Sequence, residues 1–146
     1  MKSLNICIDK QQKMERVIQI LNKTQFGFLA TLDEGKPRVR PFQFQFETNG
    51  EFFFCTAREK EVAKQLIQNP IAEYAAYDKA FNYVRISGEI LFSDDLMLKA
   101  RVLNDNPYYK TVFGSANNAS MVLFYFGHGQ VLLGSLDSYP PEMINF

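Results

Sequence analysis

Positively charged side chains are concentrated in two short segments, in a pattern suited to binding a phosphate. Arg38 and Arg40 are two residues apart in a predicted strand, so their side chains share one face. Thr56, Arg58 and Lys60 stand where a later strand meets the start of a helix. Free backbone N–H groups favour an anion at such a junction. A phosphate monoester needs this combination of several donors and nearby cations.

The two arginines have no adjacent acid in the sequence. No acidic residue occurs between Lys36 and Gln45, so their charges are available to a ligand. The two segments therefore predict a phosphate site. The sequence also allows these residues to be solvated charges on a strand and at a helix end, because short basic clusters are common.

Hydrophobic periodicity predicts the elements that carry these residues. An apolar stripe from Met14 to Leu21 has helical spacing, and Asp9 is the expected cap of that helix. After Thr24 the period changes to two, which is typical of strands. The predicted set is helix 9–22, strands 26–32, 38–47 and 51–56, helix 59–68, strands 71–78 and 82–93, helix 94–104, a short turn at 108–113, and strands 121–126 and 130–136 separated by a turn at 127–129.

The order of these elements indicates the fold class. Seven strand candidates, joined mostly by short turns and with three helices between them, favour an antiparallel α+β barrel over a doubly wound sheet. The 14 Phe and 7 Tyr residues are concentrated on the strands. Aromatic strand residues are typical of barrel packing or of a dimer interface, and the alternative is a pocket for a planar ligand.

Composition and charge limit the functions open to this chain. Its 146 residues suit one domain, residues 1–146, and 47% of them are apolar, which is enough for a packed core. Sixteen basic and sixteen acidic residues leave no net charge, which argues against a nucleic-acid partner. No apolar run approaches the ~20 residues of a membrane helix, so no membrane partner is expected. Two cysteines and no visible secretory signal predict a cytoplasmic protein.

Single residues with catalytic potential have simpler structural explanations. His128 lies between two glycines in a predicted hairpin turn, with no pattern of triad partners. Cys55 ends an apolar run on a buried strand, which is typical of an inert core thiol. Asp94, Asp95 and Glu89 are expected to be cap and surface charges, so no metal site is expected.

Several segments, taken in order, resemble a known family. Residues 28–31 and 35–42 resemble the first two strands of the pyridoxamine 5′-phosphate oxidase-like, FMN-binding split-barrel superfamily. Phe54-Cys55-Thr56, followed by Lys60 and by Asn69-Pro70, is similar to its strand-to-helix phosphate segment. The short length and the run Arg-Val-Arg-Pro-Phe are most similar to the small nitroimidazole-resistance branch. The resemblance covers about residues 14–136.

The resemblance implies a six-stranded antiparallel split β-barrel with flanking helices. It also implies a homodimer with one FMN in each of two interface clefts, and a small-molecule electron donor and acceptor. Arg40 is expected beside N1 and the C2 carbonyl of the flavin, where it would stabilise the reduced ring, or else on the phosphate. The implied cofactor-binding residues are Arg38, Val39, Arg40, Pro41 and Phe42 along the ring and ribityl chain, Phe54 and Cys55 beside them, Thr56, Arg58 and Lys60 at the phosphate, and Asn117, Asn118 and Ser120 from the second protomer.

The chain departs from the vitamin B6 oxidases at its C-terminus. Those enzymes use a C-terminal Trp and an Arg-Leu segment, whereas this chain has no Trp, and residues 138–146 contain no Arg. We therefore expect poor turnover of pyridoxamine 5′-phosphate and electron transfer to another small acceptor, such as a nitroaromatic compound. The flavin performs this chemistry, so no catalytic side chain is assigned. The alternatives are a non-catalytic flavin- or haem-binding module, and a barrel that stacks single-stranded nucleic acid, against which the zero net charge weighs.

Overall fold

The computed structural model describes the backbone of residues 1–146 and the side chains of all of them except Lys2 and Ser3. None of the helices in this described part is long and apolar enough to cross a membrane. The elements are α1 (Lys2–Thr24), β1 (Phe26–Asp33), β2 (Lys36–Thr48), β3 (Glu51–Ala57), α2 (Glu61–Gln68), β4 (Ile71–Tyr77), β5 (Tyr83–Ser93), α3 (Leu96–Asp105), α4 (Pro107–Phe113), β6 (Met121–Ser135) and β7 (Ser138–Asn145).

Backbone pairing arranges the strands in one antiparallel sheet with the order β3-β2-β1-β4-β5-β6-β7. A further ladder between β3 and β6 closes six of these strands into a barrel. β7 lies outside the closed set and pairs with the second half of β6. The predicted six-stranded antiparallel split barrel with flanking helices is therefore confirmed.

Aromatic side chains fill the barrel. Phe54 is fully buried, and its ring centroid lies 4.8 Å from that of Tyr74 and 5.6 Å from that of Phe124. The preceding residue on β3, Phe53, points to the other face and packs in a cluster that includes Val102 of α3. Because β3 is covered on both faces, its sequence is a continuous apolar run. Many of the aromatic strand residues therefore pack inside the barrel, and barrel packing is one of the uses that the sequence predicted for them.

The first half of β2 has a strand neighbour on one side only. β2 pairs with β1 from Lys36 to Gln43, but its ladder with β3 begins at Phe44. The N–H of Phe44 donates to the carbonyl of Gln25 on the β1 side. Since N–H directions alternate along a strand, the N–H and C=O of Val39 face the free edge. This edge is the split in the barrel.

Helix α1 is longer than predicted, and the expected cap is wrong. The helix begins at Lys2, so Asp9 lies inside it. Asp9 forms an ion pair with Lys13, Nζ to Oδ2 2.6 Å, one turn later. Residues 2–8 contain no Pro or Gly that would stop the helix earlier.

The predicted turn at 127–129 is also wrong, because β6 continues through it. Glycines at 88 and 129 bring the backbones of β5 and β6 into close approach, and a Cβ on Gly88 would lie 2.6 Å from the His128 carbonyl oxygen. The pairing register shifts between Gly88 and Ile90, so the glycines mark an irregularity in a ladder. His128 is consequently an exposed strand residue.

Strand β7 was not predicted from the sequence. It contains Pro140 and Pro141, which are untypical of a strand. β7 lies at the edge of the sheet, where one side of the strand needs no ladder hydrogen bonds and proline is tolerated.

Candidate functional site

An open cleft of about 500 Å³ lies beside the free edge of β2. The end of β3 and the start of α2 form one side, and the junction of α3 and α4 forms the other. The volume is within the range of roughly 300–1,000 Å³ that is usual for small-molecule and cofactor sites. The lining residues are Phe26, Arg40, Pro41, Phe42, Gln43, Cys55, Thr56, Lys60, Val62, Asn106, Tyr108 and Tyr109.

Thr56 places a buried hydroxyl group at this cleft. The residue is 3% exposed, and its backbone is held by the β3–β6 ladder opposite Val122. Among the described side chains, Thr56 Oγ1 is the only buried nitrogen or oxygen atom without a hydrogen-bond partner. Leaving a buried polar atom without a partner lowers the stability of the folded protein by about 1–3 kcal/mol. A ligand with an acceptor atom at this position would remove that cost.

Arg40 is held at the cleft by three hydrogen bonds to neutral acceptors. Its Nη1 donates to the Leu29 carbonyl at 3.2 Å and to Thr31 Oγ1 at 2.7 Å, and its Nη2 donates to Gln65 Oε1 at 2.7 Å. Partial burial, and to a smaller extent the charge of Arg38, lower the pKa of Arg40. A guanidinium group nevertheless stays charged in proteins. The cleft thus contains an oriented positive charge.

Lys60 brings a second cation and the start of a helix to the same place. It is the N-cap residue of α2, and none of the side chains that the structure describes caps this helix end. Its carbonyl accepts from the N–H of Ala63 at 3.0 Å, which leaves the N–H groups of Glu61 and Val62 without helical partners. An unfilled helix start with a lysine beside it is suited to an anion.

Aromatic residues form the opposite side of the cleft. Asn106 caps α4, and its Oδ1 accepts from the N–H of Tyr108 at 3.2 Å. Tyr109 donates its hydroxyl to the Cys55 carbonyl at 3.3 Å, and burial raises the pKa of Tyr109. α4 is therefore fastened to β3 with Tyr108 exposed at the rim. The segment predicted as a turn is a helix that contributes to the site.

The predicted cations are divided between the cleft and the surrounding surface. Arg40, Thr56 and Lys60 line the cleft. Arg38 is exposed, and its Nε donates to Asp33 Oδ2 at 3.1 Å across the β1–β2 hairpin. Arg58 faces a different part of the surface, where its Nε donates to the Ala119 carbonyl at 3.1 Å.

Asn117, Asn118 and Ser120 lie in the turn before β6 and do not line the cleft of their own chain. Asn118 Oδ1 accepts from the N–H of Ser120 at 2.9 Å, and Ser120 Oγ donates to Glu59 Oε2 at 2.5 Å. These contacts hold the turn whose Ala119 carbonyl accepts the hydrogen bond from Arg58.

The remaining predicted residues lie either along the free edge and the cleft or in the core behind them. Val39 is 64% exposed at the free edge, and Pro41 and Phe42 follow it into the cleft. Phe54 is enclosed in the barrel and supports Phe42 from inside, with their ring centroids 6.1 Å apart. Cys55 lines the cleft, but its side chain is 1% exposed and packs in the core beneath α3.

The sequence did not single out Thr31 and Gln65, which anchor Arg40. Thr31 is 2% exposed and Gln65 is 8% exposed. Gln65 lies on the same apolar stripe of α2 as Val62 and Leu66. A glutamine on a buried helix face needs a partner, and this pattern could have identified it. Among the described side chains, no group of three or more His, Cys, Asp and Glu is arranged to hold a metal ion.

Comparison with known proteins agrees with the fold. The sequence profile of the pyridoxamine 5′-phosphate oxidase family matches residues 14–127. The chain belongs to this family, as the resemblance implied. No relative was found among the curated proteins.

Solved structures give a finer comparison. A NimC/NimA family protein from Clostridium acetobutylicum has a TM-score of 0.81 and 28% identity, covering 92% of this chain and 94% of that one. General Stress Protein 26 from Bacillus anthracis has a TM-score of 0.75 and 19% identity over 90% and 97% of the two chains. A heme binding protein from Mycobacterium smegmatis has a TM-score of 0.66 and 20% identity over 87% of this chain and 54% of that one. The first of these supports the expected likeness to the nitroimidazole-resistance branch.

The two cysteines should differ sharply in reactivity. Burial raises the pKa of Cys55 to about 12, and the side chain is 1% exposed, whereas Cys7 is exposed. Because the thiolate is the reactive form, we expect a thiol reagent such as Ellman's reagent to titrate one thiol in the native protein and two after denaturation. The Cys7→Ser variant should show no fast thiol. A fast-reacting thiol in that variant would contradict the buried position of Cys55.

Proposed function

We propose that the protein binds FMN in the cleft and acts as a flavin-dependent oxidoreductase toward a small organic acceptor. The unpaired hydroxyl of Thr56 is the observation that carries this proposal, because a phosphate oxygen would give it a partner. Arg40, Lys60 and the uncapped start of α2 supply the charge and the N–H groups that a phosphate monoester needs. Membership of the pyridoxamine 5′-phosphate oxidase family supports the choice of a flavin.

The rest of the cleft suits the isoalloxazine ring. This ring has two apolar faces and one polar edge. The free edge of β2 offers the N–H and C=O of Val39 to a polar edge. Phe42 and Tyr108 offer aromatic surface to a ring face. The residues of the chain therefore bind and orient the cofactor, with Phe54 supporting Phe42 from the core.

When bound, FMN supplies hydride acceptance at N5 and two-electron transfer to a second substrate. The likeness to the NimC/NimA family protein makes nitroaromatic compounds the first acceptors to test. A haem-binding function has less support, although one relative is named a heme binding protein. Haem iron is bound by His, Met, Cys or Tyr side chains. The described residues that line the cleft include neither His nor Met, and the Cys55 thiol is 1% exposed. The Tyr109 hydroxyl donates to a backbone carbonyl, which leaves Tyr108 as the one exposed candidate among these lining residues.

The visible absorption spectrum of the purified protein tests the cofactor directly. We expect flavin bands, or their appearance after incubation with FMN, and release of FMN and not FAD on heating. Oxidation of NADH or NADPH with nitro or quinone acceptors then tests the reaction. Tight flavin binding without turnover would favour the non-catalytic module, and failure to bind any flavin would overturn the proposal.

Replacing Thr56 with valine should affect stability and binding in opposite directions. Thr56→Val removes a buried hydroxyl that has no partner among the described side chains and backbone, so the flavin-free protein should gain about 1 kcal/mol of stability. FMN affinity should fall about tenfold, because a hydrogen bond to the phosphate is lost. Denaturant unfolding and fluorescence titration measure the two effects. Loss of stability with unchanged FMN affinity would show that the hydroxyl does not serve a ligand.

Lys60 should contribute to binding through the phosphate alone. Lys60→Ala should weaken FMN about ten- to a hundredfold, as expected for the loss of a charge-assisted hydrogen bond. Riboflavin, which lacks the phosphate, should bind equally well to both proteins. Lys64→Ala is the matched control, since Lys64 is exposed on the same helix and pairs with Glu61.

The same titration ranks the other predicted cations. Arg38→Ala and Arg58→Ala should each lose less affinity than Lys60→Ala, because Arg38 is paired with Asp33 and Arg58 is bonded to the Ala119 carbonyl. Equal FMN affinity in Lys60→Ala and the parent protein would contradict the phosphate site.

We further propose that the functional unit is a twofold homodimer. Beside the cleft, a groove of about 680 Å³ lies outside β1 and β4, and its lining combines charged side chains with three exposed aromatic residues. Phe26, Phe28 and Tyr77 are 63%, 48% and 59% exposed. Exposed aromatic surface of this kind usually has a partner. Asn117, Asn118 and Ser120, which lie away from the cleft of their own chain, are the residues expected to reach the partner's FMN.

Light scattering should therefore give about twice the chain mass of 16.8 kDa. Phe28→Lys should shift the protein toward monomer and weaken FMN with it. A stable monomer that still binds FMN tightly would contradict the shared cleft.

A further inference from the structure

Gln65, Thr31 and Arg40 form a closed ring of hydrogen bonds beside the cleft. Gln65 Oε1 accepts from Arg40 Nη2 and from Thr31 Oγ1, each at 2.7 Å. Arg40 Nη1 donates to Thr31 Oγ1, also at 2.7 Å. The three residues come from α2, β1 and β2, so the ring joins the helix to the sheet at the point where Arg40 enters the cleft.

All the acceptors around Arg40 are neutral. Within the part of the chain that the structure describes, no carboxylate forms an ion pair with Arg40, whereas Arg38 is paired with Asp33. An amide oxygen orients a guanidinium group and leaves its charge intact. A carboxylate in the same position would compensate that charge, and partial burial would make the compensation stronger than at an open surface.

We propose that Gln65 is a positioning residue that keeps Arg40 oriented and uncompensated for the negative charge of FMN. That charge is either the phosphate or the polar edge of the ring when the flavin is reduced. The inference rests on the proposed FMN binding and extends it to a residue that does not itself line the cleft. Residue 65 must therefore accept hydrogen bonds and carry no charge.

The substitution Q65E tests this directly, since it keeps the size and the acceptor but adds a negative charge. We expect FMN affinity to fall about ten- to a hundredfold, because the charge of Arg40 becomes compensated within the protein. The matched control is Q68E, which adds the same charge at an exposed position of the same helix. Its FMN affinity should stay within about twofold of the parent protein.

Riboflavin affinity and the reduction potential of the bound flavin show which negative charge Arg40 serves. If Arg40 serves the phosphate, Q65E should leave riboflavin affinity unchanged. If Arg40 serves the ring, riboflavin should also weaken and the potential of bound FMN should become more negative. Either result supports the inference, and a purely structural role of Gln65 would produce neither the riboflavin contrast nor the shift in potential.

Three results overturn the inference, and they have different meanings. If Q65E weakens FMN and riboflavin equally without a shift in potential, the role of Gln65 is purely structural. If the parent protein binds FMN and Q65E matches it in affinity and potential, the role of Gln65 is wrong and the proposed function stands. If the parent protein binds no FMN, both fail. Circular dichroism of the flavin-free variants checks folding. Should Q65E not fold, Q65M decides, because it removes the acceptor without adding charge: a loss of about threefold or more supports positioning, and unchanged affinity overturns it.

Discussion

β3 pairs with β6 from Phe52 to Ala57, and the rest of the site depends on this ladder. The ladder closes the barrel, and it holds β3 away from the first half of β2, which is left with β1 as its only strand neighbour. An unpaired edge usually invites unwanted pairing. Here Pro37 and Pro41 reduce its hydrogen-bonding capacity, and helices flank it. From Cys55 to Ala57, β3 pairs with β6 but not with β2, so the same strand that closes the barrel also borders the open cleft.

Tyr74 of the barrel core also contacts the strand that borders the cleft. Gly27 on β1 leaves room for this side chain, since a Cβ there would lie 2.6 Å from Tyr74 Cζ. The Tyr74 hydroxyl donates to the Phe42 carbonyl at 3.4 Å. Burial raises the pKa of Tyr74, so the hydroxyl remains a neutral donor at physiological pH. A residue of the core thereby holds the backbone of β2 at the place where β2 borders the cleft.

Local patterns were sufficient to predict some parts of this arrangement. Thr56 and Lys60 were found because a strand end followed by a helix start is visible in a few consecutive residues. The contact of Arg40 with Gln65 was not predicted, because it joins elements 25 residues apart that meet only in the folded barrel. The pairing of Arg38 with Asp33 was missed for a related reason, since the acid lies across a hairpin and outside the segment that appeared free of acids.

The distribution of charge connects the fold to the proposed ligand. The chain has no net charge, and many of its cations are compensated locally, such as Lys64 by Glu61, Arg85 by Glu73 and Lys99 by Asp94. In the described structure the two cations of the cleft, Arg40 and Lys60, form no such pairs. A neutral protein thus carries a local positive field inside a concave site, where solvent screens it less than on an open surface. A neutral planar ligand would leave that field and the Thr56 hydroxyl unsatisfied, whereas the proposed flavin, which carries a phosphate, would satisfy both.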